Sequence, residues 1–551
     1  QDAAGTTPVY MPGQGQIDPP VGLLLDTRLG LTRGPELVSN GEFSGGTTGW
    51  STSSSYQSSA AAVGGEMRVT STAAFGRQVS PVSLTVGKTY VLTGKARAEG
   101  GVTARLHVGP GSTGGDPGAF VAVLTTSSLP TFGRIVFTAT AAQMYVTAGS
   151  VSAGAVTYFD EISIKELPGN HAYQTTTTSR PTLSGRYNLL VSSENLASGW
   201  SLFNGAVTQA GDYWKFTENT AASLHSFLQT PSQPKADLYR ATFTGKPAGR
   251  SIVRFVLNAY SGNFCEVRFD LAAGTVVGVF TGGNGVVSSY SITPVGDGGY
   301  SCTIVGKPSA AAGTAFDVSL GLVEGGNSSY TGDGVSGILV NKFDCRYESD
   351  GVGLPPYQRV VDANTYDTAG FPPYLKFDGV DDWLQTAAVD FSGTNKLLAT
   401  AALRKLSDSA AGIVAELSAA SNTSNGSFAL LAPAGPNDTL AVYMRGATAL
   451  TTSVPSGIPS PASRVFTGVM DLSAAVGSQS RSRLNGAHYA YAPQDSGGGN
   501  YGIYPLYIGR RGGTALSFNG RLYSLLIRGA ATPDTTIAKV ESYLNQKARI
   551  Y

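Results

Sequence analysis

The sequence predicts an all-β protein: three antiparallel β-sandwich (jelly-roll) domains in tandem, closed by one short C-terminal helix. Three observations carry this expectation. Glycine makes up 71 of 551 residues, about 13% against a usual ~7%, while charged residues are only 14% of the chain and hydrophobic residues 41%. Short runs in which apolar and polar residues alternate, such as 239–244 and 264–271, are broken by turn signals such as Gly283-Asn284-Gly285 and Asp297-Gly298-Gly299. The chain also carries an internal repeat longer than any solenoid unit.

The same composition excludes several classes. The hydrophobic content rules out a disordered or collagen-like chain. With 38 Lys+Arg against 37 Asp+Glu, the net charge of +1 leaves no cationic excess to neutralise phosphates, so nucleic acid is not a partner. The near-neutral balance equally disfavours electrostatic capture of an anionic cell surface. No stretch approaches the ~20 apolar residues of a membrane span, so no membrane insertion is expected. The chain shows no secretory signal at its start and opens at Gln1, as a processed or trimmed chain, or one lacking upstream sequence, would. Cys265, Cys302 and Cys345 are an odd count, which argues for buried free thiols over a disulfide framework; a Cys265–Cys302 bridge is the alternative.

The elements follow in order. Residues 1–36 read as an N-terminal attachment or linker segment. The first sandwich is expected over 37–167 and the second over 187–350, because three signals recur. Leu37-Val38-Ser39-Asn40-Gly41-Glu42-Phe43 leading to Gly49-Trp50 matches Leu190-Val191-Ser192-Ser193-Glu194-Asn195-Leu196 leading to Gly199-Trp200. A strand running from Tyr90 to Thr93-Gly94-Lys95 matches one from Tyr239 to Thr244-Gly245-Lys246, and closing strands hold Phe159-Asp160 and Phe343-Asp344. The polar stretch 168–186, with Thr175–Thr178 and Pro181, reads as a linker. A second connector over 351–373 holds Pro355-Pro356 and Pro372-Pro373, which stiffen it toward polyproline II. The third sandwich is expected over 374–551, from Tyr374-Leu375-Lys376-Phe377-Asp378-Gly379 to a last core strand at Phe518–Ile527. Thr532-Pro533-Asp534 then opens a helix by its capping chemistry, with Ile537, Val540 and Leu544 on the packed face. Trp50, Trp200, Trp214 and Trp383 sit at strand starts or in alternating strands and are expected in the cores.

The sequence carries no catalytic pattern. No strand carries carboxylates in the ExDxxE spacing of lectin-fold glucanases, and Asp378, Asp381 and Asp382 lie in a glycine-containing turn that their backbone-capping chemistry explains. His107, His171, His225 and His488 have no metal-ligand spacing, and CxxC, phosphate-loop and Gly-x-Ser-x-Gly signatures are absent. The expectation is a protein that is not an enzyme.

At this point a family resemblance enters. LKFDGVDDWLQT (375–386), the Leu484-Asn485-Gly486 turn and FNGRLYSLLI (518–527) resemble the concanavalin A-like lectin/laminin-G-like superfamily. The halves built around NGEF…GW and NLLVSSENLASGW resemble carbohydrate-binding-module jelly rolls of the galactose-binding-like type. The order DAAGTTP, PVGLLLD, GPELVSNGEF, RPTLSGRYNLL, PPYQRV, GFPPYLKFDGVDDWL resembles tail or other virion structural proteins of tailed bacteriophages over essentially the full chain. The resemblance implies a virion location (assembled in the host cytoplasm, exposed outside), with other virion proteins and host cell-surface glycan as partners and a role in host adhesion. Such fibres are commonly trimers; this chain shows neither heptads nor a β-helix repeat to drive one, so an oligomer stays open. Two other readings stand beside it: a secreted cellular glycan-binding or glycan-degrading protein, and a ligand-free head or tail decoration.

Jelly rolls of this type often hold a structural Ca²⁺ by hard oxygen ligands. The resemblance puts Asp160, Asp344 and Glu42 (or Glu194 in the second copy) where such acids stand; capping turns or pairing with Arg and Lys is the alternative. For sugar contact, the Gly-rich loop flanked by Tyr489, Tyr491, Tyr501, Tyr504 and Tyr507 has a recognition composition, with Arg445 and Asn485 as hydrogen-bonding neighbours. A structural loop or a protein–protein contact fits that composition equally.

Overall fold

The computed structural model describes residues 20–24, 33–52, 57–111, 120–185, 188–231, 238–309, 315–348, 355–362, 365–366, 371–419, 423–447 and 450–551. The protein is all-β, with antiparallel pairing throughout its paired sheets and one α-helix, Asp534–Ala548, among the described residues. No helix is long and apolar enough to cross a membrane among those residues. The described chain forms two compact units: residues 20–183 with 375–544, and residues 184–374 with 545–551.

In the first unit, one sandwich pairs the sheet 51–52/77–83/143–150/104–109/120–125 with the sheet 58–63/66–71/156–166/89–98/131–138. Strict alternation builds its core: along Glu66–Ser71 every second residue is buried, and Met67, Leu92, Leu106, Ile135, Phe137 and Phe159 are fully buried.

The other sandwich of this unit carries the helix. Its seven-stranded sheet is centred on Lys396–Lys405, paired with Asn519–Arg528 and Ala462–Asp471. The helix packs through Ile537 and Leu544 as expected. Val540 is only half-buried, and its place on the inner face is taken by Glu541, 1% exposed and held by Arg483 at 2.9 Å through both carboxylate oxygens. Spacing alone did not reveal this buried charge, because its counter-ion comes from the strand Ser480–Leu484, outside the helix.

The polar stretch 168–186, expected as a linker, is hydrogen-bonded structure over its described residues. Ala172–Tyr173 pairs with Thr386 and Gln385 on one side and with Leu23–Leu24 on the other, extending the eight-stranded sheet of the helix-bearing sandwich. Val21 and Ala172 sit in that sandwich's core, while Leu23 packs with Val91, Val136 and Leu167 of the first sandwich. Composition read these residues as a connector because the strands are two residues long, and their partners lie 148 to 214 positions away. The N-terminal stretch 1–36 likewise contributes Leu23–Leu24 to this sheet.

The second unit holds the sheets 201–203/226–229/317–322/252–258/264–270/275–282 and 205–210/213–218/337–347/239–248/299–307/286–295. Its core is rich in rings: Phe343 lies 4.6 Å from Trp200, 5.7 Å from Phe227 and 5.9 Å from Phe243 between centroids. Cys265, Cys302 and Cys345 are free and buried in this core, and burial pushes the Cys265 thiol up to about 12.

The repeat holds at the level of hydrogen bonds. Leu37 N donates to Ile164 O, as Leu189 N does to Cys345 O; Ile162 N donates to Gly41 O, as Phe343 N does to Ser193 O. A β-bulge with a left-handed residue, Glu161 in one copy and Lys342 in the other, breaks the closing strand at the same place. This register makes Ile162 the counterpart of Phe343, Asp160 the counterpart of Asn341, and Ser163 the counterpart of Asp344. The Phe-Asp match read from the sequence is therefore three residues out of step, since pairing with the neighbouring strand, not residue identity, defines equivalence.

Candidate functional site

At the bulge end of the second sandwich lies a cleft of about 470 Å³. The opening loop contributes Glu194 and Asn195, the start of strand Tyr213–Glu218 contributes Tyr213 and Trp214, and the bulge contributes Asn341 and Lys342. Arg359 crosses the cleft to Glu194, Nε to Oε2 at 2.9 Å. Trp214 donates Nε1–H to the Glu194 carbonyl at 2.8 Å, which pins a half-buried indole edge at the wall. The Asn341 amide donates to the Asp212 carbonyl and accepts from Lys342 N at 2.8 Å. On the far side the Tyr213 hydroxyl and Lys246 Nζ both reach Asp297 Oδ2 at 2.8 Å, and Lys246 lies 4.4 Å from the Tyr213 ring centroid. Lys246 first, then Tyr213, holds the Asp297 carboxyl down to about 2. The exposed Lys342 has no hydrogen-bond partner for its amino group among the described residues. Aromatic edges beside amides and charges of both signs form a surface suited to a hydroxyl-rich ligand.

The corresponding place in the first sandwich is where the sequence put a metal. Asp160 Oδ1 is buried without a hydrogen-bond partner, and burial raises its carboxyl above the ordinary value. Gly41 is pressed against the closing strand, where a Cβ would come 1.9 Å from the Ile162 carbonyl oxygen. Lys95 sits beside Asp160 and pairs with Glu161. The side chain of Glu42 is exposed. An orphaned buried carboxylate oxygen is the donor that a hard cation takes, so Asp160 fits a Ca²⁺ ligand.

Asp344 does not fit. Both its oxygens are held by Arg346, at 2.5 and 2.7 Å, and Oδ2 also accepts from Gln358 N at 2.8 Å. A guanidinium already supplies the counter-charge, and the offset register places Asp344 away from the Asp160 position.

Among the described residues, Asp378, Asp381 and Asp382 are the acids whose ligand oxygens come within 4.8 Å of one another. Asp378 and Asp382 cap their own turn, as the sequence suggested: Asp378 Oδ1 accepts from Val380 N and Asp381 N, and Asp382 Oδ2 accepts from Asp378 N, whereas Asp381 Oδ2 accepts from the Ser179 hydroxyl at 2.7 Å. Burial, with Asp378 next to it, pushes the Asp382 carboxyl up to about 7.

The tyrosine loop does not form one site. Tyr501, expected at a sugar-stacking surface, is 2% exposed inside the core, and burial drives its hydroxyl far up. Its ring is on the inner face of the sandwich, which composition cannot tell from the outer one. The Tyr504 hydroxyl donates to the Asn425 carbonyl at 2.7 Å, and Arg445 Nε reaches Asn425 Oδ1 at 3.3 Å, so those two residues do come together. Tyr491 is exposed but lies on an edge strand of the opposite sheet, with its ring 4.5 Å from that of His488. Asn485 is a left-handed turn residue whose Oδ1 accepts from Val465 N at 3.0 Å, a structural assignment.

The cleft residues Asn341, Lys342 and Arg359 were not singled out in the sequence. Glu194 and Trp214 were visible in it, the first as a candidate metal-binding acid and the second as a core residue.

No protein-family model matches the chain, and no curated protein matches it. Among solved structures, the N-terminal CBM22-1-CBM22-2 tandem domain from Paenibacillus barcinonensis Xyn10C covers 57% of this chain and 98% of its own length, at 13% identity and a TM-score of 0.32. The mouse laminin α1 chain domains LG4-5 cover 62% of this chain and 91% of their own, at 9% identity and a TM-score of 0.20. The Ruminococcus gnavus IT-sialidase CBM40 bound to α2,3-sialyllactose covers 28% and 97%, at 14% identity and a TM-score of 0.23. At such values the likeness concerns sandwich architecture alone.

Proposed function

We propose that this chain is a non-enzymatic, glycan-binding adhesion protein in which the bulge-end cleft of the second sandwich takes a short saccharide. The observation that carries the reading is the cleft itself: the Trp214 edge and the Tyr213 ring stand beside Asn341, Lys342 and the Arg359–Glu194 pair. A place in a tailed-phage virion, alongside other virion proteins and facing host-surface glycan, is supported by the order of sequence motifs along the chain. A secreted glycan-binding protein would use the same cleft.

On a glycan array the intact chain is expected to bind a defined subset of saccharides. Arg359→Ala is expected to weaken that binding about tenfold, as loss of a charged hydrogen-bonding group does, and to change stability by less than ~1 kcal/mol because the pair is exposed. No binding on the array or to host cells would remove the adhesion reading, and release of oligosaccharides from a polysaccharide would overturn the non-enzymatic one. Detection of the chain in purified particles would separate the virion reading from the secreted one.

A structural Ca²⁺ in the first sandwich is part of this proposal, with Asp160 as its carboxylate ligand; a bound cation would tie the opening loop to the closing strand. Added calcium is expected to raise the melting temperature of the metal-free protein, and Asp160→Asn to abolish the rise. An unchanged melting temperature in calcium and in chelator would dismiss the metal.

A further inference from the structure

The outer face of one sheet in the first sandwich carries a second site, independent of the cleft. Alternation along Ala104–Gly109 sends Ala104, Leu106 and Val108 into the core and turns Arg105 and His107 to the opposite face. Register sets Gly149 between Arg105 and Arg77, and Thr147 directly across from His107. A Cβ at Gly149 would come 2.4 Å from the Gly76 carbonyl oxygen and 2.6 Å from Arg77 Cβ, so the glycine keeps the floor between the two arginines open. Above it is a pocket of about 20 Å³ with Phe75, 45% exposed, on its lining.

Two polar side chains of this pocket, His107 and Thr147, are unmatched. His107 is 3% exposed, and both its ring nitrogens are buried without a hydrogen-bond partner; Thr147 Oγ1 is in the same condition. Arg105 is half-buried and makes no ion pair among the described residues. Burial first, then Arg105 and Arg77, hold the imidazole down to about 3, so the ring is neutral at pH 7 and offers one N–H donor. Buried donors left unpaired are costly, and here they face the same space as two guanidinium charges. The volume suits a single oxygen atom.

We infer that this pocket binds one oxyanion group, a carboxylate or sulfate, with an oxygen seated against His107 and Thr147 and its charge facing Arg105 and Arg77. The group could belong to an acidic sugar or be a free inorganic anion. Titration calorimetry and thermal melting of the full chain with sodium sulfate, sodium glucuronate, glucose and ionic-strength-matched sodium chloride test the inference. Saturable binding of sulfate, glucuronate or both is expected, with none of glucose. Glucuronate alone would identify a sugar acid as the ligand, and sulfate alone a tetrahedral anion. Arg105→Gln is expected to weaken binding at least about tenfold, with partial recovery in Arg105→Lys. Arg105 lies outside the core, and an unchanged urea midpoint in anion-free buffer would confirm that both variants fold. No saturable response to either anion, or a response that Arg105→Gln leaves intact, would overturn it.

Discussion

Phe343→Ala is expected to be the most damaging single substitution in the second sandwich, at about 3–5 kcal/mol. The ring is fully buried and meets Trp200, Phe227 and Phe243, so its removal leaves a cavity among rigid neighbours that cannot collapse into it. The protein supplies its own probe. All three cysteines lie in this one core as free thiols, so their labelling by an aromatic disulfide reports the opening of this sandwich alone. The variant should expose them at a lower urea concentration than the parent chain. A shift worth less than ~1 kcal/mol would mean that the core around Phe343 is not packed as described.

Arg250→Ala is the second large effect, expected to cost about 3–5 kcal/mol at neutral pH. Glu218 is 2% exposed and receives Arg250 at 2.6 and 3.1 Å, the Tyr330 hydroxyl at 2.5 Å and Asp333 N at 2.8 Å. Without the guanidinium a buried carboxylate remains uncompensated. The pH dependence has a definite sign. Burial by itself would raise the Glu218 carboxyl, but the hydrogen bonds from Arg250, Tyr330 and Asp333 outweigh it and hold the group below its ordinary 4.5. A carboxyl depressed on folding contributes stability above the unfolded value and loses it as pH falls through the folded one. The parent sandwich should therefore weaken on acidification below about 4.5. The variant gains relief there by protonating Glu218, so the gap between the two should close. Thiol labelling at neutral and acidic pH reads this directly; a gap that widens on acidification would contradict the assignment.

The three sandwiches differ in how far their sites could be read in advance. Strands such as Glu66–Ser71 and Phe264–Asp270 were legible because alternation is a local property, set by which face of a pleat meets the core. The helix was legible from Thr532-Pro533-Asp534 for the same reason, and the turn role of Asp378 and Asp382 followed from side chains that bond to their own backbone, whereas Asp381 bonds to Ser179 far along the chain. The candidate sites were less so. Asp160 and Asp344 look alike in sequence, yet one has a buried carboxylate oxygen without a partner and the other is bound by Arg346. Tyr501 and Tyr491 share a composition-rich loop, yet one is core and the other surface.

By itself, then, the sequence determined the all-β class, the recurrence of one opening segment before two sandwiches, the helix at the end of the third, and the near balance of charge. Each rests on periodicity, capping or charge count, which neighbouring residues or simple sums decide. Tertiary structure alone decided the three-residue offset of the closing strand, the recruitment of Leu23–Leu24 and Ala172–Tyr173 into a distant sheet, and the convergence of Glu194, Trp214, Asn341 and Arg359 on one cleft. It also decided which arginine meets which acid. These depend on pairing register and on contacts between residues as much as 214 positions apart, where the free energy of a strand or an ion pair lies in its partner rather than in its own residues.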